Sequence, residues 1–148
     1  MLRRKDKGFT LIELLIVVAI IGIIAAIAVP NLLNAIQRGK QKRTMGDIRT
    51  LATAVESYSI DNNQYPNTTG NASNLGTFLE PTYIKKLPTQ DGWNNYLKFD
   101  TDTTEYTATS YGKDGTANGP ASGATTDFRH DIIFSTGSFV TWPSGTQT

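Results

Sequence analysis

Glu13 is the residue whose type and position most clearly suggest chemistry. It stands four residues after Phe9 in an otherwise apolar run, where an unpaired charge costs about 2.5 kcal/mol or more if the run lies in a membrane. The best partner that the chain offers is the α-amino group that a cut just before Phe9 creates. The alternative is that Glu13 lies close enough to the membrane surface to remain solvated.

A second group of oxygen ligands lies between residues 112 and 131. The segment opens with Gly-Lys-Asp-Gly around Asp114 and continues to Asp127 and Asp131. Calcium takes about six to eight carboxylate and carbonyl oxygens from a flexible loop, so this composition predicts a calcium site. The spacing does not fit an EF-hand. Asp-Gly and Asn-Gly are equally typical of tight turns that hold no ion, so turn chemistry is the alternative.

Few other residues could carry catalysis. The chain has no cysteine and one histidine, His130, and it lacks the G-x-S-x-G pattern of a nucleophile elbow. Asp100, Asp102 and Glu105 resemble paired carboxylates, but they lie among threonines in a polar segment that is typical of a solvated hairpin tip. We therefore expect a protein that is not an enzyme.

The elements that position Glu13 begin with a membrane-spanning helix. Residues 9–29 are apolar except for Thr10, Glu13 and the small Gly22, and about 20 helical residues match a hydrocarbon core of about 30 Å. Four basic residues precede the run: Arg3, Arg4, Lys5 and Lys7. The positive-inside rule keeps this flank cytoplasmic and places the C-terminal domain outside the inner membrane. A standard secretory signal is less suitable, because its apolar region has no use for Glu13.

Charge limits the choice of partners. The formal net charge is +1, and the first eight residues contribute +3 of it. The remainder is mildly acidic and lacks the basic footprint of a nucleic-acid-binding domain. We expect neither DNA nor RNA as a main partner.

The helix continues beyond Pro30 as an amphipathic segment to about Ser59. Its apolar residues recur at spacings of three and four: Met45, Ile48, Leu51, Ala52, Val55 and Tyr58. This stripe must pack against other elements of the head. Proline inside a helix and glycine both weaken it locally, so Gly22 and Pro30 are predicted soft points.

The rest of the chain predicts a small antiparallel sheet. Residues 61–74 are a loop by composition and residues 75–79 a short helix. Strands are predicted at residues 96–99, 106–110, 132–134 and 138–142. Ser135-Thr136-Gly137 is typical of a three-residue hairpin connection with a bulge. A long helix packed on such a sheet gives an α+β fold.

The run KGFTLIELLIVVAIIGIIAAIAVP, residues 7–30, resembles the N-terminus of type IV pilins and type II secretion pseudopilins. The resemblance implies that a prepilin peptidase cuts after Gly8 and that Phe9 is then N-methylated. It also implies that Glu13, the fifth mature residue, pairs with the N-terminal amine of a neighbouring subunit. The stretch from Gly22 to Pro30 is expected to unwind when a subunit passes from bilayer to filament.

The resemblance extends into the head and favours the major, G-type pseudopilin. Tyr65-Pro66 follows the long helix, and Leu87-Pro88 precedes Asp-Gly-Trp-Asn-Asn at residues 91–95. Asn94 replaces the usual glycine, and Tyr96 replaces the usual proline. The loop at residues 112–131 is similar to the calcium loop of that pseudopilin, which implies Asp114 and Asp131 as ligands, with Asp127 as an alternative for the second.

The resemblance implies a pilin-like structural subunit of a helical filament, either a type II secretion pseudopilus or an adhesion or motility pilus. Expected segments are a leader at residues 1–8, a filament-core helix at 9–30, an amphipathic half at 31–60 and a head at 61–148. Expected partners are other copies of the chain, prepilin peptidase, the inner-membrane assembly platform, minor pilins or pseudopilins, and lipid before assembly. The head is expected in the periplasm and then in a pseudopilus or extracellular pilus. An exported binding domain on an uncleaved anchor is the alternative of another class.

Overall fold

The structure is a computed structural model that describes residues 8–102 and 104–145. The chain divides into two compact units, Met1–Ile36 and Gln37–Thr148. One helix, α1 (Leu11–Asn62), contributes to both. It ends three residues beyond the predicted Ser59, where Asn63 adopts a φ of 54°. Asparagine tolerates this left-handed conformation, which commonly closes a helix.

In the described part of the first unit, residues 8–10 and the beginning of α1 have no covered face. Every described residue up to Ile36 is exposed, including Phe9 at 79% and Leu11 at 83%. The helix is long and apolar enough to cross a membrane by length and composition. Pro30 lies inside α1 without ending it, and the Asn31 side-chain amide donates to the Ile27 carbonyl at 3.2 Å. The predicted soft point at Gly22 and Pro30 stays a prediction.

The second unit contains a six-stranded sheet. The strands are β1 (Gly70–Asn71), β2 (Lys98–Thr101), β3 (Tyr106–Ser110), β4 (Gly123–Thr125), β5 (Ile132–Ser135) and β6 (Ser138–Pro143). Their order is β1-β2-β3-β5-β6-β4. All neighbours are antiparallel except β4 and β6, which are parallel. A 3-10 turn (Ala72–Leu75) and the short helix α2 (Gly76–Leu79) lie between β1 and β2.

The predicted α+β fold is confirmed, with local differences. The first long strand begins at Lys98, not Tyr96, because Tyr96 makes only an isolated bridge to Gln90. The β5–β6 loop has two residues, Thr136 and Gly137, both with positive φ, as in the tight turns whose twist matches a hairpin. The predicted three-residue connection is wrong, and the register irregularity falls between residues 133 and 134.

The core lies between the second half of α1 and the sheet. The predicted stripe is buried apart from Tyr58, which packs edge-on against Phe78 and Tyr83 with ring centroids 6.0 and 5.6 Å away. The stripe joins one apolar cluster with α2 and the central strands, in which Phe99 and Tyr106 are at most 2% exposed. This packing joins the second half of α1 to the sheet in one core.

Candidate functional site

The segment that the resemblance marks for cleavage is exposed and not helical. Gly8, Phe9 and Thr10 precede the first helical residue, Leu11, and all three are exposed. A Cβ atom added at Gly8 meets nothing within 4 Å. The described part of the chain therefore gives no steric reason for glycine at this position.

Glu13 has partners within its own helix start. Its Oε2 accepts hydrogen bonds from the Thr10 amide at 2.9 Å and the Thr10 hydroxyl at 2.6 Å. In return, the Glu13 amide donates to Thr10 Oγ1 at 3.3 Å. This reciprocal arrangement is a capping box, which satisfies donors at the first turn of a helix. Sequence reasoning missed Thr10, although the T-x-x-E spacing was the signal for it.

Asp91 organises the loop that carries the Asp-Gly-Trp-Asn-Asn sequence. The side chain is fully buried. Its Oδ1 accepts from the amides of Trp93 and Asn95 at 2.8 and 2.9 Å, and its Oδ2 accepts from the Ser110 hydroxyl at 2.7 Å. Because buried carboxylates require hydrogen-bonding partners, this set ties the loop to the end of β3.

The same loop is joined to α1 through side chains of the helix. Thr44 Oγ1 accepts from the Gly92 amide at 2.9 Å, and Gln37 Oε1 accepts from the Trp93 indole at 2.7 Å. A Cβ at Gly92 comes within 2.9 Å of the Lys40 Cα and carbonyl carbon, and closer still to the Lys40 oxygen. Glycine is thus required for close approach, not for an unusual φ.

The replacement of the family glycine by Asn94 has a simple explanation. Asn94 has a φ of 69°, which is the left-handed region that glycine favours and asparagine tolerates best among other residues. The following residue, Asn95, donates from its side chain to the Gly112 carbonyl at 2.8 Å. The Asp91 loop therefore contacts the start of the oxygen-rich segment at residues 112–131.

Two of the three predicted calcium ligands face a common neighbour. Asp114 accepts from the Asn118 side-chain amide at 2.9 Å, and both oxygens of Asp131 accept from the Asn118 backbone amide at 3.2 and 3.1 Å. Burial raises the pKa of Asp131, which is 8% exposed. The hydrogen bond from the Thr116 amide lowers the pKa of Asp114, which is exposed.

The third predicted ligand, Asp127, is engaged by a cation of the protein. Its carboxylate pairs with the Arg129 guanidinium at 2.6 Å. Hydrogen bonds from the side chain and the backbone amide of Arg129 hold the pKa of Asp127 well below its usual range. Within residues 8–102 and 104–145, no group of three or more acidic, histidine or cysteine side chains is placed to hold a metal. The structure thus brings together Asp114 and Asp131, with Asp127 paired separately.

The acidic residues near the β2–β3 turn lie at a solvated hairpin tip, as the sequence predicts. Asp102 Oδ1 accepts from the amides of Thr104 and Glu105 at 3.0 and 2.8 Å. Asp100, Asp102 and Glu105 are all exposed. This hydrogen bonding is that of an Asx turn at a solvated hairpin tip.

Two family profiles match the chain in succession. Residues 3–29 match the prokaryotic N-terminal methylation motif, and residues 31–128 match type II secretion system protein G. The second match covers the Asp91 loop and Asp114, and ends before Asp131.

Three relatives similar to this chain are each named type II secretion system core protein G. The protein of Vibrio cholerae serotype O1 is 36% identical over 82% of this chain and 90% of its own length. That of Pseudomonas aeruginosa is 37% identical over 67% and 76%, and that of Aeromonas hydrophila is 36% identical over 64% and 73%. These matches favour the secretion pseudopilus over an adhesion or motility pilus and over an isolated binding domain. The chain therefore belongs to the type II secretion system protein G family and is a structural pseudopilin subunit, not an enzyme.

Proposed function

We propose that this pseudopilin is made as a precursor, cut between Gly8 and Phe9 by a prepilin peptidase, and methylated at the new N-terminus. Before assembly it resides in the inner membrane with its head in the periplasm, and it then joins other copies in the pseudopilus. The proposed division is a leader at residues 1–8, a core helix at 9–30, an amphipathic half at 31–60 and a head at 61–148. The assembly platform and minor pseudopilins are further proposed partners.

The observation that carries this proposal is the exposed apolar start of α1 with one carboxylate in it. An apolar helix with no covered face requires lipid or other apolar helices around it, and a filament core supplies the second. Glu13 is then removed from water and requires a cation. The amine of Phe9 on a neighbouring copy is that cation, and it exists only after the leader is removed.

Gly22 and Pro30 support a role in assembly. A Cβ added at Gly22 meets nothing within 4 Å, so the isolated chain has no steric need for glycine there. Glycine at this position serves close packing of helices between copies or local unwinding. Pro30 removes the hydrogen bond to the carbonyl four residues before it. Both properties suit a helix that changes its environment.

Processing is tested by producing the full chain with and without a prepilin peptidase and measuring its intact mass. We expect loss of residues 1–8 with the peptidase, and no cleavage of Gly8→Val, because a branched Cβ blocks the enzyme's approach to an otherwise open backbone. Gly22→Ala is the matched control and should be cut normally. A chain that keeps Met1, or begins after residue 28, contradicts the proposal.

We also propose that the loop at residues 112–131 binds calcium through Asp114 and Asp131. The fit rests on Asp131, a buried carboxylate for which Asn118 is the hydrogen-bond donor among the described residues. Calcium would neutralise the two carboxylates and take its remaining oxygens from carbonyls and water. Asp127 is the weaker ligand because Arg129 already compensates its charge.

Calcium is expected to stabilise the head against urea. A ligand that binds only the folded state adds RT ln(1 + [L]/Kd), about 2.7 kcal/mol at a hundredfold excess over Kd. The measurement follows fluorescence of the full chain in detergent with calcium or chelator, because both tryptophans, Trp93 and Trp142, lie in the head.

The calcium response should vanish in Asp114→Asn and persist in Asp100→Asn, an exposed aspartate of β2. Equal urea midpoints of the unsubstituted chain in calcium and chelator would show that the segment is a set of Asp-Gly and Asn-Gly turns without an ion.

A further inference from the structure

A dense basic segment follows the apolar part of α1. Within six residues it contains Arg38, Lys40, Lys42 and Arg43, which we call the basic collar. It begins two residues after Ile36, the end of the first compact unit. No acidic residue occurs between Glu13 and Asp47, so the collar has no carboxylate on its membrane side in the sequence.

The charges of the collar are poorly compensated within the protein. Arg43, which is exposed, forms a 3.5 Å ion pair with the half-buried Asp47. Among the described residues, no carboxylate lies within ion-pair distance of Arg38, Lys40 or Lys42. Arg38, Lys42 and Arg43 are exposed, and Lys40 is half-buried. The collar therefore presents positive charge to solvent.

This charge stands on the flank of the span where basic residues are normally scarce. The positive-inside rule concentrates Lys and Arg on the cytoplasmic side, and the leader supplies four there: Arg3, Arg4, Lys5 and Lys7. The collar places an equal number of basic residues on the other flank. This arrangement does not help the chain choose its orientation. The poorly compensated positive charge of the collar is instead complementary to an anionic partner on the exported side.

Sequence order places the collar soon after the membrane-spanning run. About 20 helical residues from Phe9 cross a hydrocarbon core of about 30 Å, and eight residues separate Val29 from Arg38. Long Arg and Lys side chains extend their charged ends towards a polar layer.

A recess beside the collar has the chemistry of a phosphate site. It measures about 370 Å³ and is lined by Arg38, Gln41, Lys42, Ser144 and Gly145. Two cations with an adjacent hydroxyl can bind phosphate oxygens through charge-assisted hydrogen bonds.

We propose that the basic collar binds the phosphate of anionic phospholipids in the leaflet on the head's side before the subunit enters the filament. The inference rests on the proposed membrane orientation and adds the lipid class to it. Anionic lipid neutralises the collar and keeps its charged ends at the surface while the apolar helix remains in the bilayer. A juxtamembrane basic residue contributes about a fivefold preference for an anionic surface.

The test uses the full chain in nanodiscs with equal phosphatidylglycerol and phosphatidylcholine of matched acyl chains. Native mass spectrometry of the released protein gives the ratio of the two lipids that it retains. Arg38→Gln combined with Lys42→Gln should lower this ratio at least fivefold. The matched control, Lys85→Gln with Lys86→Gln, removes two exposed lysines elsewhere on the head and should leave the ratio unchanged. All samples carry Arg3→Gln, Arg4→Gln, Lys5→Gln and Lys7→Gln, so that the basic residues of the leader retain no anionic lipid.

Added inorganic phosphate distinguishes lipid from a free anion. We expect millimolar phosphate to leave the lipid ratio unchanged, because it lacks the acyl chains that hold the headgroup at the collar. Displacement of lipid by phosphate, an unchanged ratio in the collar variant or an equal fall in the control variant overturns the inference. Such a result does not bear on cleavage at Gly8 or on filament assembly, because both are measured separately.

Discussion

Gly92→Ala is expected to lower the free energy of unfolding of the head by about 3 kcal/mol, the upper end of the usual range for overpacking. The added methyl meets the backbone of Lys40 in α1, and backbone cannot move aside as a flexible side chain can. Relief requires the loop and helix to separate. That separation weakens the hydrogen bonds that Gly92 and Trp93 donate to Thr44 and Gln37.

Urea unfolding of the full chain in detergent, followed by tryptophan fluorescence, measures this effect. Gly46→Ala is the matched control because it lies in the same helix and its added Cβ meets nothing within 4 Å. It should gain up to about 1 kcal/mol from helix propensity. If Gly92→Ala unfolds at or above the midpoint of the unsubstituted chain, the close contact between loop and helix is not a determinant of stability.

Glu13→Ala is expected to reduce pseudopilus assembly more than a hundredfold while leaving membrane insertion and leader cleavage intact. Breaking a buried ion pair by removing one partner costs about 3–5 kcal/mol. The cost falls on every subunit added, because each copy must bury the amine of Phe9 without its carboxylate. Insertion is spared, since removing a charge from an apolar helix favours the bilayer.

Glu13→Gln separates the two roles of the carboxylate. Glutamine can still accept the hydrogen bonds of the Thr10 capping box but carries no charge. We expect Glu13→Gln to fail as Glu13→Ala does when sheared filaments are quantified beside cleaved subunits in the membrane. Normal filaments from Glu13→Gln would assign the residue to helix capping, and normal filaments from both variants would remove it from assembly.

The sequence was most informative where periodicity and motif were local. Spacings of three and four predicted the buried face of α1 correctly, because an amphipathic helix exposes its pattern within one segment. Alternation predicted Tyr106–Ser110 with its bounds. The long N-terminal run was specific enough to indicate the family before any fold was known.

What the sequence did not show depends on distant contacts or very short elements. β1 has two residues and β4 three, too few for a periodic signal, and β4 pairs in parallel with a strand that comes later in the chain. Asp91 was recognised only as part of the motif at residues 91–95, and its structural role was not predicted because its partner Ser110 is 19 positions away. The turn at Thr136 and Gly137 was placed correctly but given one residue too many.

The candidate calcium loop illustrates a different limit. Composition indicated oxygen ligands, but only packing could show that Asp131 is buried beside Asn118 while Asp127 is paired with Arg129. Carboxylates next to glycine and asparagine serve turns and metals equally well. Asp131 differs from Asp114 and Asp127 because its side chain is buried.

The most direct test of the central claim is the intact mass of the subunit in filaments sheared from cells that secrete through a type II system with this chain as their protein G. We expect a mass that is lower than that of the uncleaved chain by residues 1–8 and higher by one N-methyl group. Secretion should be lost when the chain is omitted and restored with it. Filaments that lack this chain, or that contain it with residues 1–8 attached, contradict its assignment as a processed structural subunit of the pseudopilus.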